Sequence, residues 1–516
     1  MAFDDDNFNW GSSDSNGNGN RNGNGNGIGN GAPADEQERP PAHRPEEVDL
    51  EAEAELQVDI GENFSRYDNI EVECRGDTIK PIDKFADLIQ SDLLLQNIER
   101  AKYKKMTPIQ RYTIPALAKG HDLVGCAQTG SGKTAAFLLP VLQTILNVTD
   151  LDSAYGQETQ RPYCIIIAPT RELARQTYVE GLKLSRDSIV KCQCIYGGVQ
   201  TGYLRAQLSK GCHVLVATPG RLKDFLNRNW ISLEKIKYMI LDEGDRLIDD
   251  GFVTDMRCVF THPTMPPKDA RQTMFFSATF KDDAQTLAGE FMKPNYLFIT
   301  VGMVGAANED VKQGFIRVER SEKKRELKKI LQSLNLEEDR VIVFTQTKAT
   351  ADIISGFLSS CGIPCTSIHG DRHQSQREQA LHEFKRGAKK VLVASPVGER
   401  GLDLPKVSMV INYDMPNELD EYVHRIGRTG RIGNTGRAIS FFDPSRDTKL
   451  VSDLTKALKH AQQEVPDFFS GGVNEFFGDG GFGDSTRGST HANVGGINGN
   501  NEAWPSDGGA AEEEIW

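Results

Sequence analysis

No apolar run in the 516-residue sequence approaches the roughly 18 residues that a bilayer span requires, so no membrane association is expected. The opening Met1-Ala-Phe-Asp-Asp-Asp is acidic and unlike a signal peptide. Cysteine is scarce: nine residues, an odd count with no CxxC pair. That excludes a disulfide framework or a Cys-rich zinc module and fits a reducing, cytoplasmic setting. Basic charge is also in deficit, with a net charge of −13. Taken as a sum, this argues against nucleic acid, because affinity for phosphate backbones comes from lysine and arginine.

The location of the charge reverses that inference. Residues 1–60 hold 14 acids and 3 bases, and residues 465–516 hold 9 acids and 1 base. The stretch 61–464 is left with 56 bases against 50 acids, a slight positive excess. The two ends also differ in texture from the middle. Residues 16–31 are a Gly/Asn tract, and the C-terminal end is Gly-rich with interspersed Phe469, Phe476, Phe477 and Phe482. Neither end has the apolar content to offset the entropy of ordering, so 1–60 and 466–516 are expected to be disordered tails. Phe spaced by Gly and acids suits weak multivalent association as well as simple solubilisation.

The middle alternates β-rich apolar runs with helical patterns. Buried strands are predicted at Cys164–Ala168, His213–Ala217, Tyr238–Leu241, Thr273–Phe276, Val341–Thr345, Lys390–Ala394, Met409–Asn412 and Ala438–Phe442. Helices are predicted at Thr170–Glu180 and Gln374–Lys385 between them. This alternation implies an α/β fold with parallel sheets. So long a stretch is too much for one sheet. The Gly/Ala/Asn segment around Val301–Asp310 is the natural linker, giving domains of 61–302 and 312–465 joined by 303–311.

Ala127–Thr134 reads AQTGSGKT between an apolar run and a helix-like segment. Backbone N–H groups of Gln128, Thr129, Gly130, Ser131 and Gly132 at a helix start are suited to wrapping phosphates. Lys133 then reaches the outer phosphates and Thr134 ligates Mg²⁺. Asp242-Glu243 ends a strand, where an α/β sheet keeps its ligand site. One carboxylate, Asp242, can hold the metal while Glu243 orients and deprotonates water. His424–Arg431 reads HRIGRTGR, and on a helix Arg425, Arg428 and Arg431 form a basic ridge. Such a ridge either pairs with Asp420 and Glu421 or supplies arginine fingers to a transferring phosphate when two domains close.

These motifs, in this order, resemble the DEAD-box ATP-dependent RNA helicases of superfamily 2 over essentially all of 61–465. YKKMTPIQ (Tyr103–Gln110) resembles the Q motif, with Phe85 upstream. PTRELA (Pro169–Ala174), Gly197-Gly198 and TPGR (Thr218–Arg221) resemble the RNA-gripping motifs of the first domain. DEGD (Asp242–Asp245) and Ser277-Ala278-Thr279 follow, and the second domain adds Gln374, Arg377, Arg400–Asp403 and HRIGRTGR. The resemblance implies two RecA-like domains, ATP and Mg²⁺ as cofactors, and RNA as partner. It implies that Phe85, Tyr103, Thr107 and Gln110 bind the base, Asp403 the ribose, and Arg428 and Arg431 the γ-phosphate. Pro169, Thr170, Arg171, Gly198, Thr218, Pro219, Gly220, Arg221, Gln374 and Arg377 would hold the RNA backbone. Asp245, Ser277, Thr279 and His424 would couple the two sites. Backbone contacts carry no base identity, so binding should be largely independent of sequence.

Within the family, QSQREQAL (Gln374–Leu381), INYDMP (Ile411–Pro416) and the terminal EEEIW resemble the Vasa-type germline subfamily. That implies a role in germ cells, cytoplasmic or perinuclear germ granules, granule proteins as partners of the tails, and a monomeric core. A general translation-associated helicase and an ATP-gated RNA clamp with little turnover share the same motifs. Three departures stand out: Gly244 where the family has Ala, Met106 where it has Pro, and Glu399 beside Arg400. Cys126, next to the phosphate loop, is expected to be a buried structural thiol.

Overall fold

The computed structural model describes residues 43–55, 70–128, 130–148, 155–302, 310–396, 404, 406–431 and 434–470. Two α/β units follow one another. The first contains β1 (Val72–Arg75), β2 (Leu123–Cys126), β3 (Cys164–Ile167), β4 (Cys192–Ile195), β5 (Val214–Ala217), β6 (Tyr238–Leu241), β7 (Gln272–Ser277) and β8 (Leu297–Val301). Their order in the sheet is β1-β8-β2-β7-β6-β3-β5-β4. The second contains β9 (Val311–Arg317), β10 (Arg340–Phe344), β11 (Cys365–Ile368), β12 (Val391–Ala394), β13 (Val407–Asn412) and β14 (Gly436–Phe442), in the order β11-β12-β10-β13-β14-β9.

Among the described residues all strand pairings are parallel except one: β1 runs antiparallel to β8 at the edge of the first sheet. The expectation of parallel sheets is corrected there, since an edge strand needs no covering on both faces. Each sheet separates two apolar clusters, as β3 (CIII) and β5 (VLVA), buried throughout, require.

Ordered structure lies within both expected tails. Residues 43–55, assigned to a disordered tail, include a helix at Leu50–Glu55. Arg186 binds Glu51 and the Glu46 carbonyl accepts from Arg175, which anchors the segment to the folded body. At the other end a short helix, Asp467–Ser470, belongs to the second unit. Phe469 is buried against Phe315 and Phe442, with centroids 5.1 Å from each. A tail Phe, read as free for association, is therefore a core residue. Residues 303–309 of the expected linker, and 56–69, lie outside the described residues. Among the described residues no helix is long and apolar enough to cross a membrane.

Candidate nucleotide and RNA cleft

The carboxyl ends of β2, β7, β6 and β3 lie side by side, with Cys126 in register with Ser277 and Leu241 with Ile167. Chain leaving these ends supplies the functional groups, as expected for a parallel sheet. After β2 the loop turns through Gly130 (φ 78°) and Gly132 (φ 84°), conformations open to glycine, and enters the helix Lys133–Leu146. The Lys133 ammonium is buried and donates to the carbonyls of Ala127 (2.5 Å) and Gln128 (3.2 Å). Burial pulls its pKa down, opposed by the carboxylates of Asp242, Glu243 and Asp245.

The Q-motif residues brace this loop. Thr107 starts the helix Pro108–Ala118, and its N–H donates to Gln110 Oε1 at 2.9 Å. Gln110 Nε2 donates to the Gly132 carbonyl at 3.1 Å, so both ends of the amide are engaged. Phe85 packs edge-on to Tyr103, whose hydroxyl donates to Glu180. Met106, where the family has Pro, is buried in the first-unit core. Thr134 sits in the first helical turn. Thr129 and Asp403 lie outside the described residues, as do Glu399 and Arg400.

At the end of β6, burial and neighbouring Glu243 push the Asp242 carboxyl up to about 7. Glu243 caps the following helix in a left-handed conformation (φ 49°), a strained state for a residue with a side chain. Its Oε2 and the Ser131 Oγ are buried without a hydrogen-bond partner. One orphaned group within the phosphate-type loop and one at the strand end fit a site for a nucleotide and its metal. Asp245 accepts from Thr279 Oγ1 (3.1 Å) and from its N–H, while its own N–H donates to Ser277 Oγ.

The second unit completes the cleft. His424 Nε2 lies 3.8 Å from Asp245 Oδ2. Arg431 lays its aliphatic stem on Gly130 of the phosphate loop. The basic ridge, however, is not helical: the helix Leu419–Ile426 stops before Gly427. Arg428 and Arg431 follow in a turn and donate back to the carbonyls of His424 and Gly427. The acids proposed to pair with them are engaged elsewhere. Asp420 binds Lys281 of the first unit at 2.6 Å, and Glu421 accepts the Asn417 N–H.

A second cluster joins the units beside the PTRELA segment. Thr170 caps the helix Arg171–Leu184 by accepting from Leu173 N–H. Arg171 donates to Gln374 across the gap and lies against Gly198. Arg377 and Glu172 form a buried pair at 2.6 Å, and Tyr196 donates to Glu378. Arg221, at the start of the helix Pro219–Asn227 with Thr218 at its N-cap position, donates to the carbonyls of Tyr196 and Val199. Its guanidinium shapes the loop carrying Gly198, with Pro219 and Gly220 holding it at the helix start. Pro169 lies between β3 and that PTRELA helix. Sequence reasoning missed Glu172 and Glu378 as partners in this junction. The signal for Glu172 was present within PTRELA, whereas nothing in the sequence pairs Glu378 with Tyr196.

A phosphate-type loop and strand-end carboxylates in one unit, met by Arg431 and His424 from a second α/β unit, form the arrangement of a two-domain nucleotide-binding fold. The family model described as DEAD/DEAH box helicase matches residues 107–287, and that described as Helicase conserved C-terminal domain matches 322–433. The chain belongs to the DEAD-box helicase family.

It is 48% identical over 409 residues to "ATP-dependent RNA helicase vasa" of Drosophila melanogaster, covering 79% of this chain and 60% of that protein. It is 48% identical over 440 residues to "Probable ATP-dependent RNA helicase DDX4" of Homo sapiens, covering 84% and 60%. The solved structure "S. cerevisiae Dbp5 bound to RNA and ADP BeF3" matches with a TM-score of 0.63 at 31% identity, over 73% of this chain and 93% of that one. The chain thus spans about 60% of the length of the curated relatives it matches.

Proposed function

We propose that this chain is an ATP-dependent RNA helicase that opens short duplexes or remodels ribonucleoproteins, acting in germ cells. The observation that carries the reading is Arg431 of the second unit seated on Gly130 of the phosphate loop. A closed cleft of this kind ties nucleotide state to domain arrangement. The vasa and DDX4 relatives, named as ATP-dependent RNA helicases, support it.

Thr134 and Asp242 are the residues to hold Mg²⁺, which supplies charge neutralisation along the phosphates. Lys133 contributes a buried cation there, and Glu243 offers an unpartnered carboxylate oxygen to accept a proton from water. Gln110, Phe85 and Tyr103 frame the base side, and Asp403 the ribose. Arg171, Gly198, the Thr218–Arg221 turn, Gln374 and Arg377 lie along one seam across both units, suited to a sugar–phosphate strand. Closing that seam on a strand bends it, and reopening releases it. Cytoplasmic germ granules as the location, and granule proteins as partners of the ends, belong to the same proposal.

ATP hydrolysis measured with and without single-stranded RNA tests the activity. RNA stimulation lost in Glu243→Gln is expected; hydrolysis indifferent to RNA would overturn the reading. Detection of the transcript in gonad but not soma tests the germ-cell role.

A further inference from the structure

The segment His43–Glu55 bridges both units beside the seam just described. His43 accepts from the Gln200 N–H through its carbonyl (3.2 Å), and its Nε2 lies 3.0 Å from Glu378 Oε2. Arg44 donates to the Gln200 side chain at 3.2 Å, and Arg175 to the Glu46 carbonyl at 3.3 Å. Farther along, Glu51 binds Arg186 at 2.6 Å and Glu53 lies 3.9 Å from Lys385. Gln200, Arg175 and Arg186 belong to the first unit, and Glu378 and Lys385 to the second. A cavity of about 400 Å³ is lined jointly by His43, Glu46 and Glu53 with Arg171, Gln374 and Lys385.

The strap is strongly acidic, with six carboxylates (Glu46, Glu47, Asp49, Glu51, Glu53, Glu55) against one arginine. Two of them reach basic groups, Glu51 on Arg186 and Glu53 on Lys385, at the far ends of the helices that begin with Arg171 and Gln374. Glu46 lines one cavity with Arg171 and Gln374 themselves, residues that with Gly198 hold the RNA backbone under the reading above. A polyanion laid along a basic seam uses the attraction that a phosphate strand would use. We infer that residues 43–55 form an acidic strap that occupies the RNA seam in cis and must be displaced by RNA. The inference rests on the RNA-binding reading and adds a competitor built into the chain. Gln200 ties the strap to the loop bearing Gly198, so strap and RNA cannot both hold this edge in the same way. Half-exposed pairs such as Arg186–Glu51 are individually weak, which suits a strap that yields to a longer polyanion.

The test uses the full chain. Glu51→Gln with Glu53→Gln removes the two ion pairs, and Asp4→Asn with Asp5→Asn makes the same change in net charge outside the strap. Affinity for a fluorescent single-stranded RNA is measured by anisotropy over a salt series. The strap variant is expected to bind RNA roughly threefold to tenfold more tightly, the scale of two weak ion pairs, with the tail variant unchanged. Unstimulated ATP hydrolysis is expected to be the same in all three. In a second arm a labelled peptide of residues 43–55 is expected to bind a chain lacking 1–55 and to be displaced by the RNA. Equal RNA affinity of strap variant and wild type, or a peptide that RNA does not displace, would overturn the strap alone. Absence of RNA binding by every chain would instead overturn the RNA reading, and the strap's role with it.

Discussion

Gly244 abuts the ring of Phe275 so closely that a β-carbon built on it would have three ring carbons within 2.7 Å. Glycine at the third position of DEGD, where the family's own name records alanine, is thus matched to a large aromatic on the neighbouring strand. Phe275 is fully buried, flanked by Phe280, and lies in register with Leu241 just before Asp242. The departure is a packing exchange and leaves the chemical groups of the motif in place.

Gly244→Ala is therefore expected to destabilise the first unit by about 1–3 kcal/mol through overpacking. Pairing it with Phe275→Leu should recover much of that loss. Thermal unfolding of the two variants, with RNA-stimulated hydrolysis as a second readout, checks the coupling; additive losses would separate the two residues.

The Arg377–Glu172 pair between the units is deeply buried, with side chains 8% and 3% exposed. Removing one partner leaves a charge without compensation, a cost on the order of 3–5 kcal/mol. Glu172→Ala should thus shift the chain toward an open arrangement. Fluorescence transfer between dyes on the two units should fall in the RNA-free protein, while each unit keeps its own unfolding midpoint.

The Asp242 carboxyl is pushed up to about 7 by burial and by Glu243. Folded Asp242 therefore keeps a proton that the unfolded chain releases at lower pH, and the desolvation cost of its carboxylate sets in as pH rises through that window. Asp242→Asn removes the cost. The ligand-free variant should melt a few degrees above wild type at about pH 8, with a distinctly smaller gain at about pH 5, where only part of the interval between the unfolded and folded values has been crossed. An equal gain at both values would show that ionisation is not the cause.

Phe469 anchors the end of the second unit between Phe315, Phe442 and Phe468. Phe469→Ala is expected to cost roughly 3–5 kcal/mol, measured by denaturant unfolding. A chain ending at residue 465 should be destabilised similarly, whereas one ending at 470 should not.

Local apolar runs made much of this legible. The fully buried β3, β5, β6 and β12 are short continuous stretches, and the helix Gln374–Lys385 fell where its pattern placed it. Strands β1, β4 and β9 mix polar with apolar residues because one face or edge is less covered, so periodicity alone did not reveal them. The phosphate-type loop was legible because it is contiguous in sequence. The junctions Arg377–Glu172, Tyr196–Glu378 and His43–Glu378 join positions separated by more than a hundred residues, and no local spacing encodes them. The helix expected to carry Arg428 and Arg431 ended early at Gly427, where glycine favours a turn over helix continuation.

The most direct test is strand release from a short RNA duplex by the intact chain, comparing wild type with Arg431→Gln. Wild type should release the strand only with ATP and Mg²⁺ present. The variant should bind RNA but lose hydrolysis by about 10³-fold or more and fail to turn over. Release that needs no ATP, or that survives loss of the Arg431 guanidinium, would contradict a cleft completed by the second unit.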